Sequence, residues 1–453
     1  MKKQRQAAPA RAYLPEETLV KIAFYIPDVA DAKAFLGGLT LYSRGGSLQN
    51  IFYLIDCGNP TDVWPSLRIN KESITNTFLI KSVKFHPNLT VDNMRDTTWI
   101  KKHTNLAANI EWIVNDFPIT MDLVDSWSGL RITGLSLGYK SEAPSGWKDV
   151  LTRLPLLRSL KLDNVIGDLD GVFDFVAKSK TLTGLEICSV SNRASHLVDI
   201  TSWFRNRQPR DFVVKSTEWC PVDKNVLQNL HEAIFDSPTL DRLLLSGVDL
   251  YDFNFSKVSL LMKSLQLEDC CLDGVRLKTF ISKLAASSVV HLDLSLDWEN
   301  CIEELGCLFQ ILPQTSVKSL KLKDMSIKKA DWDTLLLPQS CAIETLTLSA
   351  INFPSALAKS LAAVIQNNHT IVELDLCDSD IAIPDLTWLV KGMTHTSRRV
   401  PKTCIKWTRH WRAVGNLVYR KAQDLVSEYN GHFEHDNDDY YTFLISQQRS
   451  ANS

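Results

Sequence analysis

The chain has no Cys-x-x-Cys pair, no long apolar run and no excess of one charge, and each absence excludes a class of protein. Its ten cysteines (57, 188, 220, 270, 271, 301, 307, 341, 377 and 404) are scattered. That usage fits reduced, buried thiols of a cytoplasmic or nuclear protein better than a disulfide framework. The nearest candidate ligand pairs, His432-x-x-His435 and Cys301-x5-Cys307, fall short of the four closely spaced donors of a structural zinc site, so no metal is expected. No apolar stretch approaches the roughly 18 residues of a membrane-crossing helix. The basic residues from Lys2 to Arg11 have no apolar segment behind them, so they do not read as a secretion signal. With 50 Lys and Arg against 52 Asp and Glu, the chain lacks the global basicity of a nucleic-acid binder.

Catalytic signatures are also missing. There is no Gly-rich phosphate loop, no His-Glu-x-x-His and no nucleophile elbow. Gly37-Gly38 and Gly45-Gly46 are expected to be turns either side of a short helix. No carboxylate pair stands out as an acid/base couple. The expectation is a binding protein without catalytic residues or cofactor.

What the chain does have is a repeat. At 453 residues it is long for one ordinary core, and apolar-x-x-apolar-x-apolar recurs along most of it. The phrase is Leu157-Arg-Ser-Leu160-Lys-Leu162 at its clearest. Its middle apolar residues fall at 135, 160, 185, 212, 243, 265, 292, 320, 346 and 374. Alternation marks a short strand with one face inward. A single such strand cannot bury its apolar side, so successive strands must stack in parallel into one array. Fainter copies, Ile80-Lys-Ser-Val83-Lys-Phe85-His-Pro-Asn88 and Ile110-Glu-Trp-Ile113, place a possible start near residue 64. The pairs Val248-x-Leu250, Cys270-x-Leu272, Met325-x-Ile327, Ile351-x-Phe353 and Ser379-x-Ile381 are expected to form the turn under each strand. Stretches such as Leu277–Leu284 and Leu357–Ile365 carry apolar residues three and four apart and are expected to be helices on the outer side.

This pattern resembles the leucine-rich-repeat family, in its long-repeat, ribonuclease-inhibitor-like class. The resemblance implies an α/β solenoid with parallel strands on the concave face and helices on the convex face. One departure is the ninth position, where the family places Asn or Cys. Here it is Val165, Val190, Val248, Met325 and Ile351, with Cys only at 270, so looser coils are expected. The outward strand positions are a mosaic of both signs, and Lys161, Glu186, Arg242, Gln266, Asp293, Lys321, Lys323 and Asp375 are the expected contacts of a protein partner.

Residues 14–26 begin Leu14-Pro15-Glu16-Glu17, with Leu19, Ile22, Ala23 and Ile26 on one helical face; Pro27-Asp28 then leads to a second helix with Phe35, Leu36 and Leu39. Val63-Trp64-Pro65-Ser66-Leu67-Arg68-Ile69 follows. This segment resembles an F-box over residues 14–50, except that Leu41-Tyr42-Ser43-Arg44-Gly45-Gly46 stands where the family has Val-Cys-x-x-Trp. The resemblance implies a substrate receptor of a cullin-type (SCF) ubiquitin ligase, with Leu14, Pro15, Leu19, Ile22, Ile26 and Leu36 docking the adaptor subunit. Two other readings stay open. The helices are then a plain cap on a repeat scaffold or inhibitor, or the chain is a GTPase-activating repeat protein using Arg153, Arg242 or Arg276.

From 391 to 421 nine Lys and Arg occur without a carboxylate, interleaved with Trp407, Trp411 and Tyr419, before the acidic Glu434, Asp436, Asp438 and Asp439. A terminal cap, with Cys404-Ile405-Lys406-Trp407 as its last strand, is expected over an anionic-ligand patch. The expected organisation is therefore a disordered 1–13, an F-box-like 14–50, a connecting 51–130 with degenerate repeats, repeats over 131–395, and a cap and tail over 396–453.

Overall fold

The computed structural model describes residues 14–39, 41–138, 146–190, 193–216, 223–296, 298–323, 341–349, 355–376, 379, 381–395, 404–406, 416–428, 432–435 and 441–444. Met325-x-Ile327, Ile351-x-Phe353, the segment 1–13, Trp407, Trp411, much of the basic run, and Asp436, Asp438 and Asp439 lie outside the described residues. The chain divides into two compact units, Met1–Glu186 and Ile187–Ser453.

In the first unit four helices precede the strands: α1 (Glu16–Phe24), α2 (Val29–Gly38), α3 (Leu41–Cys57) and the short α4 (Pro60–Val63). Glu16 and Glu17 sit in the first turn of α1, where the helix dipole favours them. Asp28 caps α2 by accepting the Asp31 N–H at 2.9 Å. Both helices pack on α3. Leu19, Val20, Ala23, Ala32 and Leu36 are buried, as are Leu48, Ile51, Leu54 and Ile55 on α3. The two glycine pairs are not turns. Gly37-Gly38 closes α2, and Gly45-Gly46 lies inside α3. A helical glycine costs about 1 kcal/mol relative to Ala, and the burial of Leu48 to Ile55 outweighs that, each such side chain contributing about 1.5–3 kcal/mol.

Five parallel strands follow in chain order: β1 (Leu67–Ile69), β2 (Asn88–Asp92), β3 (Asn109–Val114), β4 (Ile132–Leu137) and β5 (Ser159–Asp163). The ladder thus begins at Leu67, and its inward column reads Ile69, Val91, Trp112, Leu135, Leu160. Two fainter phrases are corrected here. Residues 80–85 are helical (Thr77–Ser82, then a 3-10 turn Val83–Phe85), and the strand comes just after, with Leu89 and Val91 buried. In β3 the inward residues are Ile110, Trp112 and Val114, with Ile113 turned outward. The misreading has a physical source, since a one-residue slip exchanges the faces of a strand. A register shift at Ile110/Glu111 makes room for it.

The second unit repeats the same device. Strand β6 (Gly184–Cys188) lies at the division between units, and β7 (Asp211–Lys215), β8 (Arg242–Ser246), β9 (Ser264–Glu268), β10 (His291–Ser295), β11 (Ser319–Lys323), β12 (Thr345–Leu348), β13 (Glu373–Asp375) and β14 (Cys404–Lys406) follow. From β7 to β14 each pairs in parallel with the next. Phe212, Leu243, Leu265, Leu292, Leu320, Leu346, Leu374 and Ile405 form one unbroken inward column. Helices such as Gly274–Leu284 and Ser355–Asn367 bury Leu277, Phe280, Ile281 and Leu284, or Leu357, Leu361 and Ile365, at the spacing read from the sequence. Between β8 and β9 there is only a 3-10 turn, Phe255–Lys257. There the volume of the missing helix is taken by Phe253 and Phe255, whose ring centroids lie 5.3 Å from Phe235 and 5.3 Å from Phe280 respectively.

The strand exits are more regular than the poor ninth position implied. Asn93, Asn164, Ser189, Ser216, Gly247 and Asp269, each directly after a strand, have φ between 46° and 69°. Asn, Asp, Ser and Gly are the residues that reach this left-handed region at least cost. From that corner, the N–H donates to the next strand's last carbonyl, as in Ser216 to Ser246, Gly247 to Glu268 and Asp269 to Ser295. A left-handed corner at the eighth position therefore does the work expected of a side chain at the ninth.

Candidate protein-binding face

In a parallel array backed by helices, one face of the strands stays open, and its side chains alternate with the buried ones. Within the second unit the open fifth-position column reads Val213, Leu244, Gln266, Asp293, Lys321, Thr347, Asp375, Lys406. Four of the expected contact residues, Gln266, Asp293, Lys321 and Asp375, are thus brought into one row. Lys323 stands in the next open row, with Ser295 and Glu268.

Lys323 organises the centre. Its neighbour Ser295 is small and buried, so the lysine lies across it and reaches two strands away, a span of about 10 Å at the usual strand spacing. There the ammonium donates to Glu268 Oε1, and it lies 3.6 Å from Asp293 Oδ2. Gln266 Nε2 donates to the same Glu268 oxygen at 2.7 Å. Burial opposes ionisation of Glu268, but the bonds from Lys323 and Gln266 outweigh it and its carboxyl is held below the usual range. Asp293 goes the other way. Its burial raises the carboxyl, Lys323 and Lys321 only partly offset this, and Oδ1 has no hydrogen-bond partner. The result is a recessed cluster of two acids and two bases; Val213 and Leu244, further along the open row, are themselves buried.

The other expected residues make pairs of their own. In the first unit Lys161 pairs with Glu186 at 2.9 Å across β5 and β6. Arg242 pairs with Asp211 on β7 at 3.2 Å. Glu268 was missed as the hub because nothing in a linear phrase shows that Ser295 leaves a path over it. The arginines considered for GTPase activation are each tied to a carboxylate of this chain: Arg153 to Asp125, Arg242 to Asp211, and Arg276 to Asp273 at 2.5 Å.

Of the residues expected to dock an adaptor, Leu14 and Pro15 are exposed, Ile22 and Ile26 are half-buried, and Leu19 and Leu36 are in the core. The last two hold the helices together and have no surface to offer. What ties the segment to the first coil is aromatic. The Phe24 ring stacks on Trp64 at 4.6 Å and meets His86 edge-on at 4.9 Å, while the Trp64 indole N–H donates to the Ile26 carbonyl at 2.8 Å. His86 is fully buried with neither ring nitrogen hydrogen-bonded, and burial pushes its pKa down to about 3.

Among the described residues no group of three His, Cys, Asp or Glu is placed to hold a metal ion. Cys301 is buried and Cys307 half-buried, both as free thiols. No described helix is long and apolar enough to cross a membrane. No family model matches the chain. It is 27% identical over 189 residues to the human protein named NACHT, LRR and PYD domains-containing protein 12; the match covers 40% of this chain and 16% of that protein. The chain thus spans a small part of the relative it matches. Parallel strands stacked in chain order and this distant similarity together support a leucine-rich-repeat class for the array.

Proposed function

We propose that the chain is a non-catalytic protein-binding repeat, whose open strand face in the second unit holds a protein partner. The observation that carries this reading is the recessed cluster of Glu268, Asp293, Lys321 and Lys323 on the open strand face. Matched charges of both signs suit a protein surface, whereas a phosphate backbone favours a continuous positive stripe. The finer reading is a substrate receptor of a cullin-type ubiquitin ligase, in which Leu14, Pro15, Ile22 and Ile26 dock the adaptor and the strand face holds the target. The test is co-purification from cells. Recovery of the adaptor with the wild-type chain, and its loss with Leu14→Ala plus Pro15→Ala, supports the ligase reading. Both side chains are exposed, so the fold should not change. Absence of the adaptor from the wild-type sample contradicts it.

A second reading, that the helices only seal a scaffold or inhibitor, draws on the Phe24, Trp64 and His86 cluster. Deleting residues 14–57 removes Phe24 and uncovers Trp64 and His86. Aggregation of the truncated chain favours the cap; a folded truncation that loses only the adaptor favours the docking segment.

A further inference from the structure

A groove of about 570 Å³ runs along α1 in the first unit. Its α1 wall is built by Glu17, Val20, Lys21 and Phe24, which share a face at spacings of three and four. Lys84, Phe85, Pro87 and Asn105 complete the lining. At about 100° per residue, this face of α1 is distinct from the one carrying Ile22 and Ile26, so the groove is separate from the surface considered for adaptor docking. None of its lining residues lies in a strand.

Two features define what would occupy it. The first is an apolar lining with an exposed aromatic side chain. Tyr25, which lines the groove, is 87% exposed. Surface this apolar and this accessible, concave and rimmed by polar groups, is the signature of a contact site. The second is charge. The segments that supply the rest of the lining, 77–87 and 98–105, contain Lys81, Lys84, Lys101 and Lys102 and no carboxylate, in a chain of net charge −2. Lys84 and Lys21 are exposed at the groove, and neither is in an ion pair among the described residues; the Lys84 ammonium lies 4.9 Å from the Phe85 ring centroid. Only Glu17 carries negative charge in the lining.

We propose that this groove docks an acidic, apolar peptide segment of a partner protein, with one bulky side chain on Val20, Phe24 and Phe85 and flanking carboxylates at Lys21 and Lys84. The chemistry is that of a short linear motif, in which the anchor supplies affinity and the charges supply orientation and on-rate. Lys21 and Lys84 also disfavour a basic segment of equal hydrophobicity.

The test uses the full chain and fluorescence anisotropy, with a dye-labelled peptide of about twelve residues holding a central Leu-Phe between glutamates. Saturable binding is expected. It should weaken by about tenfold or more when the flanks are lysines, when Leu-Phe becomes Ser-Ser, or when the chain carries Lys21→Glu and Lys84→Glu, and it should weaken with salt. Tyr25→Ala, on a side chain too exposed to support the fold, should weaken binding while leaving the circular dichroism unchanged. Three results overturn the proposal: no saturation of the glutamate peptide, equal binding of the lysine-flanked peptide, or wild-type affinity in the double-charge variant. None of these bears on the strand face, whose variants are distinct.

Discussion

The early coils of the first unit and the later coils of the second reach the same ladder with different side chains. From β8 to β11 the inward column is leucine after leucine, at 243, 265, 292 and 320. From β1 to β3 it is Ile69, Val91 and Trp112, and the space behind is filled by rings: Trp112 lies 5.3 Å from Trp127, and Phe24 sits between Trp64 and His86. The backbone arrangement demands only an apolar residue at the inward position; its shape is negotiated with whatever lies behind it. A search for leucine therefore finds the later coils and undercounts the early ones. The buried histidines differ in the same way. His86 has burial alone acting on it, whereas Asp249 partly offsets burial at His231, which is pushed down to about 4 rather than about 3.

The largest expected effect breaks the column itself. Leu292→Ala, at a fully packed position between Leu265 and Leu320, should destabilise by about 2–5 kcal/mol in chemical denaturation. Next is pH. His86 is neutral when folded and takes a proton when unfolded, since its folded pKa, about 3, lies below the ordinary 6.5. Its contribution is intact above 6.5 and is lost as pH falls toward 3, at up to about 1.4 kcal/mol per pH unit. His86→Leu should flatten that slope in denaturation followed by tryptophan fluorescence. An unchanged slope would remove His86 from the account.

Smaller effects sharpen the comparison of charge and corner. Lys323→Met leaves Glu268 without its ammonium on a half-buried face, and a loss of about 1–3 kcal/mol is expected in thermal unfolding. Asn93→Ala should cost about 1 kcal/mol, because Asn93 combines φ of 51° with an Oδ1 that accepts the Asn115 N–H at 2.7 Å. Asn93→Gly should lose only the side-chain bond, so the difference between the two variants measures the corner.

Much of this was legible in the sequence. All ten middle residues from Leu135 to Leu374 lie in strands, because a period-two phrase bounded by turns has few other uses. The rest was hidden for physical reasons. The left-handed corner is written in scattered Asn, Ser, Gly and Asp residues that a search for one residue type passes over. Gly45-Gly46 reads as a turn unless the burial of Leu48 to Ile55 is known. Of the candidate contacts, the outward residues were readable by alternation, but the hub at Glu268 depends on Lys323 crossing Ser295. Leu19 and Leu36 were expected at a docking surface, yet the same apolar spacing serves a helix packed on α3.

The open strand face of the second unit is proposed as a contact surface for protein. The direct measurement is quantitative affinity capture from cells with the wild-type chain and with a Lys321→Glu, Asp375→Lys variant, matched for circular dichroism and thermal stability. Both changes are at half-exposed positions of the open row. Proteins enriched by the wild-type chain and depleted from the variant are the expected result. Identical sets of captured proteins from two equally folded chains would contradict it.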